Sequence, residues 1–333
     1  MADVLLARNA ECIFWLARYV ERAENLARIL DVNATFARDR RGGRDWLPVL
    51  QLNADQERFS AAHRAATAEA VLRFYVTDRA NPTSIVSAIG MARENARTLR
   101  PVISSEMWAQ LNIFHKWLGA LDGAAVAPGA VTRLLGRIKE ACQTHTGVTD
   151  GTLHRDQASY FYRLGRHIER ADQTTRLLDI KYHLLLPSPA DVGSPVDLVQ
   201  WDALLRSAAA HHAYLRVVRG GVTPAGVAGF LLLHPRFPRS VAFCVAEADR
   251  LLDVLRARHA LPGGDRAAAE LGRLRSDLGA LLIGEVLAGG LHEFLDNVQR
   301  RLVVVTRDLS GAFFGDPRAA MRAQAQSQSA APC

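Results

Sequence analysis

Lysine is almost missing from this chain of 333 residues: Lys116, Lys139 and Lys181 stand against 38 arginines. The net charge of +7 therefore needs care before it is read as a nucleic-acid signature. Arginines alternate with acids along most of the chain, and no dense basic run of the kind that tracks a phosphate backbone occurs. The nearest approach, Arg38-Asp39-Arg40-Arg41-Gly42-Gly43-Arg44, reads as a charged loop, so the composition argues against a nucleic-acid partner. Cysteine is also scarce. Cys12, Cys142, Cys244 and Cys333 are scattered without a C-x-x-C pair, which argues against a zinc site and a disulfide scaffold. Long apolar runs are absent. The stretch Cys12-Ile13-Phe14-Trp15-Leu16 is interrupted by Arg8, Glu11, Arg18 and Glu21, so it is neither a signal peptide nor a membrane span. A cytoplasmic setting is the default expectation. Strand alternation and tight Asn-Gly or Asp-Gly hairpin signals are lacking too.

Helical periodicity fills the space left by these absences. It predicts helices over about 10–35, 55–75, 83–100, 104–119, 129–145, 154–186, 197–217, 239–259, 266–288 and 290–314. Pro- and Gly-rich loops separate them at 121–129, 187–195 and 262–265. The polar tail 317–333 is of low complexity and is expected to be disordered. The fold class is all-α.

One segment returns. Arg18-Tyr19-Val20-Glu21-Arg22-Ala23-Glu24 reappears, slightly changed, as Arg166-His167-Ile168-Glu169-Arg170-Ala171-Asp172, a spacing of 148 residues. Leu16, Arg28, Leu30 and Asp31 match Leu164, Arg176, Leu178 and Asp179. A second block, Asn81-Pro82-Thr83-Ser84-Ile85, matches Phe237-Pro238-Arg239-Ser240-Val241 at a spacing of 156. Periods this long exceed the ~20–50 residues of a solenoid unit. They predict a bundle of two duplicated helical halves, 1–150 and 151–316, related by pseudo-two-fold symmetry and packed together.

On a helical projection, Leu16, Tyr19, Ala23, Leu26 and Leu30 form an apolar stripe. Arg18, Glu21, Arg22, Asn25 and Arg28 form a polar one. Its counterpart is Arg166, Glu169, Arg170, Gln173 and Arg176: four positions are identical and the fifth exchanges one amide for another. The apolar stripe differs more, with Tyr19 against His167 and Leu26 against Thr174. A solvated face should drift most, so the ranking is inverted. Three readings remain open. The ridge is a structural ion-pair network, in which loss of one buried partner costs about 3–5 kcal/mol. Or it is a site: Glu21 and Glu169 act as general acid or base, or grip an amino group, while Arg18, Arg22, Arg28, Arg166, Arg170, Arg176, Asn25 and Gln173 hold a carboxylate or phosphate through guanidinium forks. Or it faces another protein. Glu94, Asn95 and Arg97 are placed where they could face the same cleft. No metal and no cofactor is called for: E-x-x-H, H-E-x-x-H, the P-loop and G-x-S-x-G are all missing, and His211-His212 lacks an acidic or Cys partner at ligand spacing.

Taken in order, Trp15-Leu16-Ala17-Arg18-Tyr19-Val20-Glu21-Arg22-Ala23-Glu24, Asn81 to Ile85, Ala92-Arg93-Glu94-Asn95-Ala96-Arg97, Ser104-Ser105-Glu106-Met107-Trp108, Arg163 to Gln173 and Pro235 to Val241 resemble the bacterial alpha-E family. The resemblance runs from about residue 8 to 314. It implies an all-helical domain with Glu21, Arg22, Glu169 and Arg170 as signature residues. It also implies partners, a circularly permuted ATP-grasp ligase and a transglutaminase-like protein, in systems that make or modify small peptides. The resemblance implies this context and no reaction; combined with the polar ridge it leads to the expectation of an accessory or partner subunit of an amide-ligase system, binding a carboxylate or phosphate of a peptide or amino acid in a Glu/Arg-lined cleft. An enzyme using Glu21 or Glu169 in amide chemistry, and a plain helical scaffold, are the alternatives. The family usually carries an aromatic residue where His167 stands.

Overall fold

The computed structural model describes residues 5–37, 46–127, 129–185 and 195–315. The Arg38–Arg44 cluster, most of the Pro-rich connection after Leu185, Cys333 and the polar tail lie outside the described residues. Among the described residues the regular structure is helical throughout, with no strand. The helices are α1 Ala7–Phe36, α2 Leu47–Leu52, α3 Gln56–Ser60, α4 Ala68–Val76, α5 Ile85–Thr98, α6 Ser105–Gly119, α7 Val131–Thr152 and α8 Gln157–Leu185. They continue with α9 Pro195–Ser207, α10 His211–Val217, α11 Pro224–Leu233, α12 Val241–Ala257, α13 Asp265–Ala280, α14 Ile283–Gly289 and α15 Leu291–Leu309.

Two long helices, α1 and α8, carry the repeated segment and make the largest helix–helix interface among the described residues. Helices α5 and α7 flank α1, and α12 and α15 flank α8. Between Ile13 and Ala34 almost every α1 residue is buried or half-buried, on both the apolar and the polar stripe. The same holds for α8 from Ala158 to Ile180. They pack tightly at Gly165, where a Cβ would stand 2.5 Å from the Phe14 carbonyl oxygen. Only glycine lets the two backbones meet there. The buried apolar side chains form one continuous cluster from Ala10 to Phe314.

Serine hydroxyls start three of the expected helices. Ser84 Oγ accepts from Ser87 N–H at 3.2 Å, Ser104 Oγ from Met107 N–H at 3.1 Å, and Ser240 Oγ from Phe243 N–H at 3.1 Å, each satisfying an otherwise orphaned donor of the first turn. Other boundaries differ from the periodicity. The segment 55–75 breaks into α3 and α4, because the Thr67 hydroxyl caps Ala70 N–H at 3.2 Å and opens a new helix there. The segment 197–217 breaks at Ala209, which takes a left-handed φ of 53°. Nothing in Ala208-Ala209-Ala210 signals this, since alanine favours helix. Likewise 266–288 divides at the extended Leu281 and Leu282. Helix α11 escapes periodicity because Val227 to Leu232 is apolar almost throughout and buried on most sides.

Candidate functional site

The polar stripes of α1 and α8 face each other inside the bundle. Glu21 is 2% exposed and Glu169 is 0% exposed. Each carboxylate is gripped by the arginine that follows the other. Arg170 donates from Nε and Nη2 to the two oxygens of Glu21, at 2.8 and 2.7 Å. Arg22 donates from Nε and Nη2 to the two oxygens of Glu169, at 2.7 and 3.0 Å. Such two-pronged pairing fixes direction as well as distance. The amides of the stripes also match in role: Asn25 donates to Glu21 at 2.8 Å, and Gln173 to Glu169 at 3.2 Å.

The second arginine at each carboxylate comes from a different place. Glu169 takes Arg18 Nε at 2.7 Å, and Arg18 also donates to the Thr306 hydroxyl at 2.8 Å and lies over the Trp15 ring. Arg166, which occupies the position matching Arg18, turns away to Asp150 at 3.3 Å. Glu21 is instead approached by Arg239, from the turn before α12, at 3.2 Å. Arg239 bonds Glu24 as well, beside Arg28, whose Nη2 meets Glu24 at 2.6 Å. Arg28 also donates to the Ser207 carbonyl. Arg176 pairs with Asp172 at 2.9 Å and donates to the Leu52 carbonyl at 3.0 Å. The structure thus gathers Arg18, Glu21, Arg22, Asn25, Arg28, Glu169, Arg170, Gln173 and Arg176, but sends Arg166 to the edge. Glu24, Asp172 and Arg239 were not among the expected site residues. Glu24 and Asp172 lie inside the repeated segment and were the signal for two of them. Arg239 is marked only by its mismatch with Thr83 in the second repeated block. Glu94 and Arg97 do not join the network; they pair with each other at 2.9 Å on the surface.

Burial pushes the Glu21 carboxyl up, but the charges of Arg170 and then Arg239, with the hydrogen bonds of Arg170 and Asn25, overcome it and hold Glu21 well below the usual carboxylate range. Glu169 behaves the same way under burial opposed by Arg22 and Arg18. Both acids are therefore ionised near neutral pH. His167 is buried with Nδ1 unpartnered, its ring near Phe243. Burial first, then Arg166 and Arg170, keep it neutral by pulling its pKa far down. Tyr160, Phe161, Tyr162 and Trp15 pack in or against the core. His211 meets Asp202 at 2.9 Å. Among the described residues no three His, Cys, Asp or Glu side chains gather as a metal-ligand set, and no helix is long and apolar enough to cross a membrane.

The inner network sets six guanidinium groups (Arg18, Arg22, Arg28, Arg170, Arg176, Arg239) against four carboxylates (Glu21, Glu24, Glu169, Asp172). One edge is open. The Arg22 side chain keeps 32% of its surface exposed and lines a cleft of about 650 Å³ with Tyr19, Arg79, Thr83, Ser87, Gly90 and His115.

No curated protein and no solved structure compared with the chain gives a match. A family model described as a predicted alpha-helical domain with a conserved ER motif matches residues 5–314. Glu21-Arg22 and Glu169-Arg170 are both Glu-Arg pairs, and both sit at the centre of the network just described. With nearly its whole length matched, the chain belongs to the Alpha-E family.

Proposed function

We propose that this chain is a non-catalytic accessory subunit of an ATP-grasp amide-ligase system that makes or modifies small peptides in the cytoplasm. In this reading it holds an anionic group, carboxylate or phosphate, of a peptide or amino acid in the open cleft at the Arg22 edge of the Glu/Arg network. Its two halves are a duplication whose Glu-Arg helices cross-lock. The observation that carries the reading is the imbalance of the network. Both signature acids are enclosed and saturated by arginine, whereas guanidinium groups are in excess and one of them, Arg22, reaches an open cleft. A buried, strongly ionised carboxylate is poorly placed for proton transfer, which needs reach to the reacting group and a pKa near the working pH. Glu21 and Glu169 instead act as counter-ions that hold guanidinium forks in fixed directions.

The partner half of the proposal draws on the family resemblance, which ties such domains to a circularly permuted ATP-grasp ligase and a transglutaminase-like protein. A second reading, a helical scaffold with no ligand, draws on the burial of the network itself. Co-expression of the tagged chain with the ligase and the transglutaminase-like protein separates the possibilities. Retention of the ligase, with its turnover raised by the chain, is the expected result. Turnover of amide substrates by the purified chain alone, lost in Glu21→Gln or Glu169→Gln variants that stay folded, would replace this reading with an enzyme. Failure to retain either partner would leave the scaffold.

A further inference from the structure

The second repeated block aligns Thr83 with Arg239 and Ser87 with Phe243. The larger pair fills space. Arg239 runs to Glu21, Asn25 and Glu24, and Phe243 covers His167, their ring centroids 5.9 Å apart. The smaller pair leaves it open. Thr83, Ser87 and Gly90 border the cleft of about 650 Å³ between α1 and α5. That volume falls within the ~300–1,000 Å³ of small-molecule sites.

Its chemistry is one-sided. Arg22, Arg79 and His115 line it, and no carboxylate does. Arg22 spends Nε and Nη2 on Glu169, and its Nη1 makes no hydrogen bond among the described residues. Arg79 donates only to the Gly119 carbonyl, at 3.2 Å, and pairs with no acid among the described residues. The rest of the lining is largely apolar, with Tyr19, Pro82, Val86 and Met91.

We propose that this cleft binds a carboxylate carried on a compact apolar body, as in an amino acid or the C-terminal residue of a short peptide. Arg22 and Arg79 take the carboxylate. Tyr19, Val86 and Met91 take the apolar part. Guanidinium also suits phosphate, but the apolar wall and the absence of a third strong cation favour the singly charged group. At the matching position in the second segment Arg239 and Phe243 take up that space. The inference rests on the accessory-subunit reading for its biological meaning, yet its binding test is independent of that reading.

The test is a calorimetric and NMR titration of the full chain with N-acetyl-leucine, inorganic phosphate and the uncharged N-acetyl-leucinamide. N-acetyl-leucine is expected to bind, with shifts centred on Tyr19, Thr83 and Gly90, and to outbind the other two at least about tenfold, the ratio expected for a lost charge-assisted contact. Arg79→Gln should weaken it about tenfold. Gly90→Leu should abolish binding by filling the cleft. A Cβ at Gly90 meets nothing nearer than His115 Nε2 at 4.0 Å, so that variant should fold, as its melting temperature will report. Thr83→Arg should close the cleft, as Arg239 takes up the space at the matching position. It also breaks the 2.9 Å bond from Thr83 to Asp55, which is why Gly90→Leu carries the decision. Binding unchanged in folded Gly90→Leu, phosphate preferred over N-acetyl-leucine, or no binding at millimolar ligand would each overturn the proposal. If ligase retention persists in any of those cases, the accessory reading stands without this cleft. If the cleft binds while the ligase is not retained, the cleft stands without the accessory reading.

Discussion

The network's cost of disruption can be worked out for Glu169→Gln. The carboxylate accepts four hydrogen bonds, from Arg18 Nε, from Arg22 Nε and Nη2, and from Gln173 Nε2. The amide keeps the shape but replaces one acceptor by an NH₂ that points at guanidinium N–H groups. At least one charge-assisted bond is lost, worth about 1.5–3 kcal/mol, and Arg18 and Arg22 lose their shared counter-ion. Breaking a buried pair by removing one partner costs about 3–5 kcal/mol. The open edge at Arg22 admits water and places the expected loss toward the lower end. At about 2.1 cal/mol/K of unfolding entropy per residue, a chain of this length has about 0.7 kcal/mol/K, so the melting temperature should fall by about 4–5 °C. Urea unfolding followed by circular dichroism measures the free energy directly. Glu94→Gln is the control: it removes two surface ion pairs, to Arg93 and Arg97, and should cost about 1 kcal/mol or less. If Glu169→Gln loses no more than Glu94→Gln, the two polar stripes are not locked together, and the whole account of the network fails.

The remaining expectations are shorter. Gly165→Ala should cost about 1–3 kcal/mol through overpacking, because its Cβ meets the Phe14 carbonyl; a neutral unfolding midpoint would refute the close crossing. Buried His145 has its pKa pulled down to about 4 by burial, and His167 is lowered as well. The unfolded chain binds these protons first, so stability should fall as pH drops from about 6.5 toward 4, by at most ~1.4 kcal/mol per pH unit for each histidine. His145→Gln should flatten that slope in pH-dependent urea unfolding. Glu21 and Glu169 have depressed pKa values, so their contribution is complete above about 4.5 and is lost below it as pH falls through the folded values; the double Gln variant should lose that acid-side slope. Cys142 and Cys244 are buried, with thiols pushed up by desolvation, Cys244 to about 12. Peptide mapping after brief alkylation should find Cys12 modified well before either, and rapid labelling of Cys244 in the native protein would contradict its burial.

Much of the site was legible because the sequence contains the same polar stripe twice. The pairing partners were not. Helical projection puts Arg18 beside Glu21 and Arg22 on one helix, at local spacing, but burial turns these side chains across the interface instead. The strongest bonds of Glu21 and Glu169 come from about 150 residues away. Arg18 and Arg166 look equivalent in sequence, and only their surroundings separate them: Thr306 and Trp15 hold the first against Glu169, while the exposed Asp150 draws off the second. Helix boundaries followed the same division. Ser84, Ser104 and Ser240 announce their helices through a local bond. The break at Ala209 is closed by local backbone bonds, Ala210 N–H to the Leu205 carbonyl at 2.8 Å and Ala209 N–H to the Arg206 carbonyl at 3.0 Å, but an alanine in the left-handed turn gives no sequence signal for it.

The closer match of the polar stripes than of the apolar ones has a physical basis. On an apolar face a change of one or two methylene groups costs about 0.5–1.5 kcal/mol and can be absorbed by neighbours. At the two Glu-Arg pairs no residue can change alone. Glu21 needs Arg170, Glu169 needs Arg22, and either substitution strands an enclosed charge. Both sequence segments are therefore tied to the same four letters by each other rather than by solvent. The tie is looser where Arg166 turns to Asp150 while Arg18 meets Glu169, and in the second repeated block, where Arg239 matches Thr83. There Arg239 supplies Glu21 with its second cation, whereas Glu169 already has Arg18. With Glu169 satisfied from within α1, Thr83 is free of that duty, and the space it leaves is where the network meets solvent.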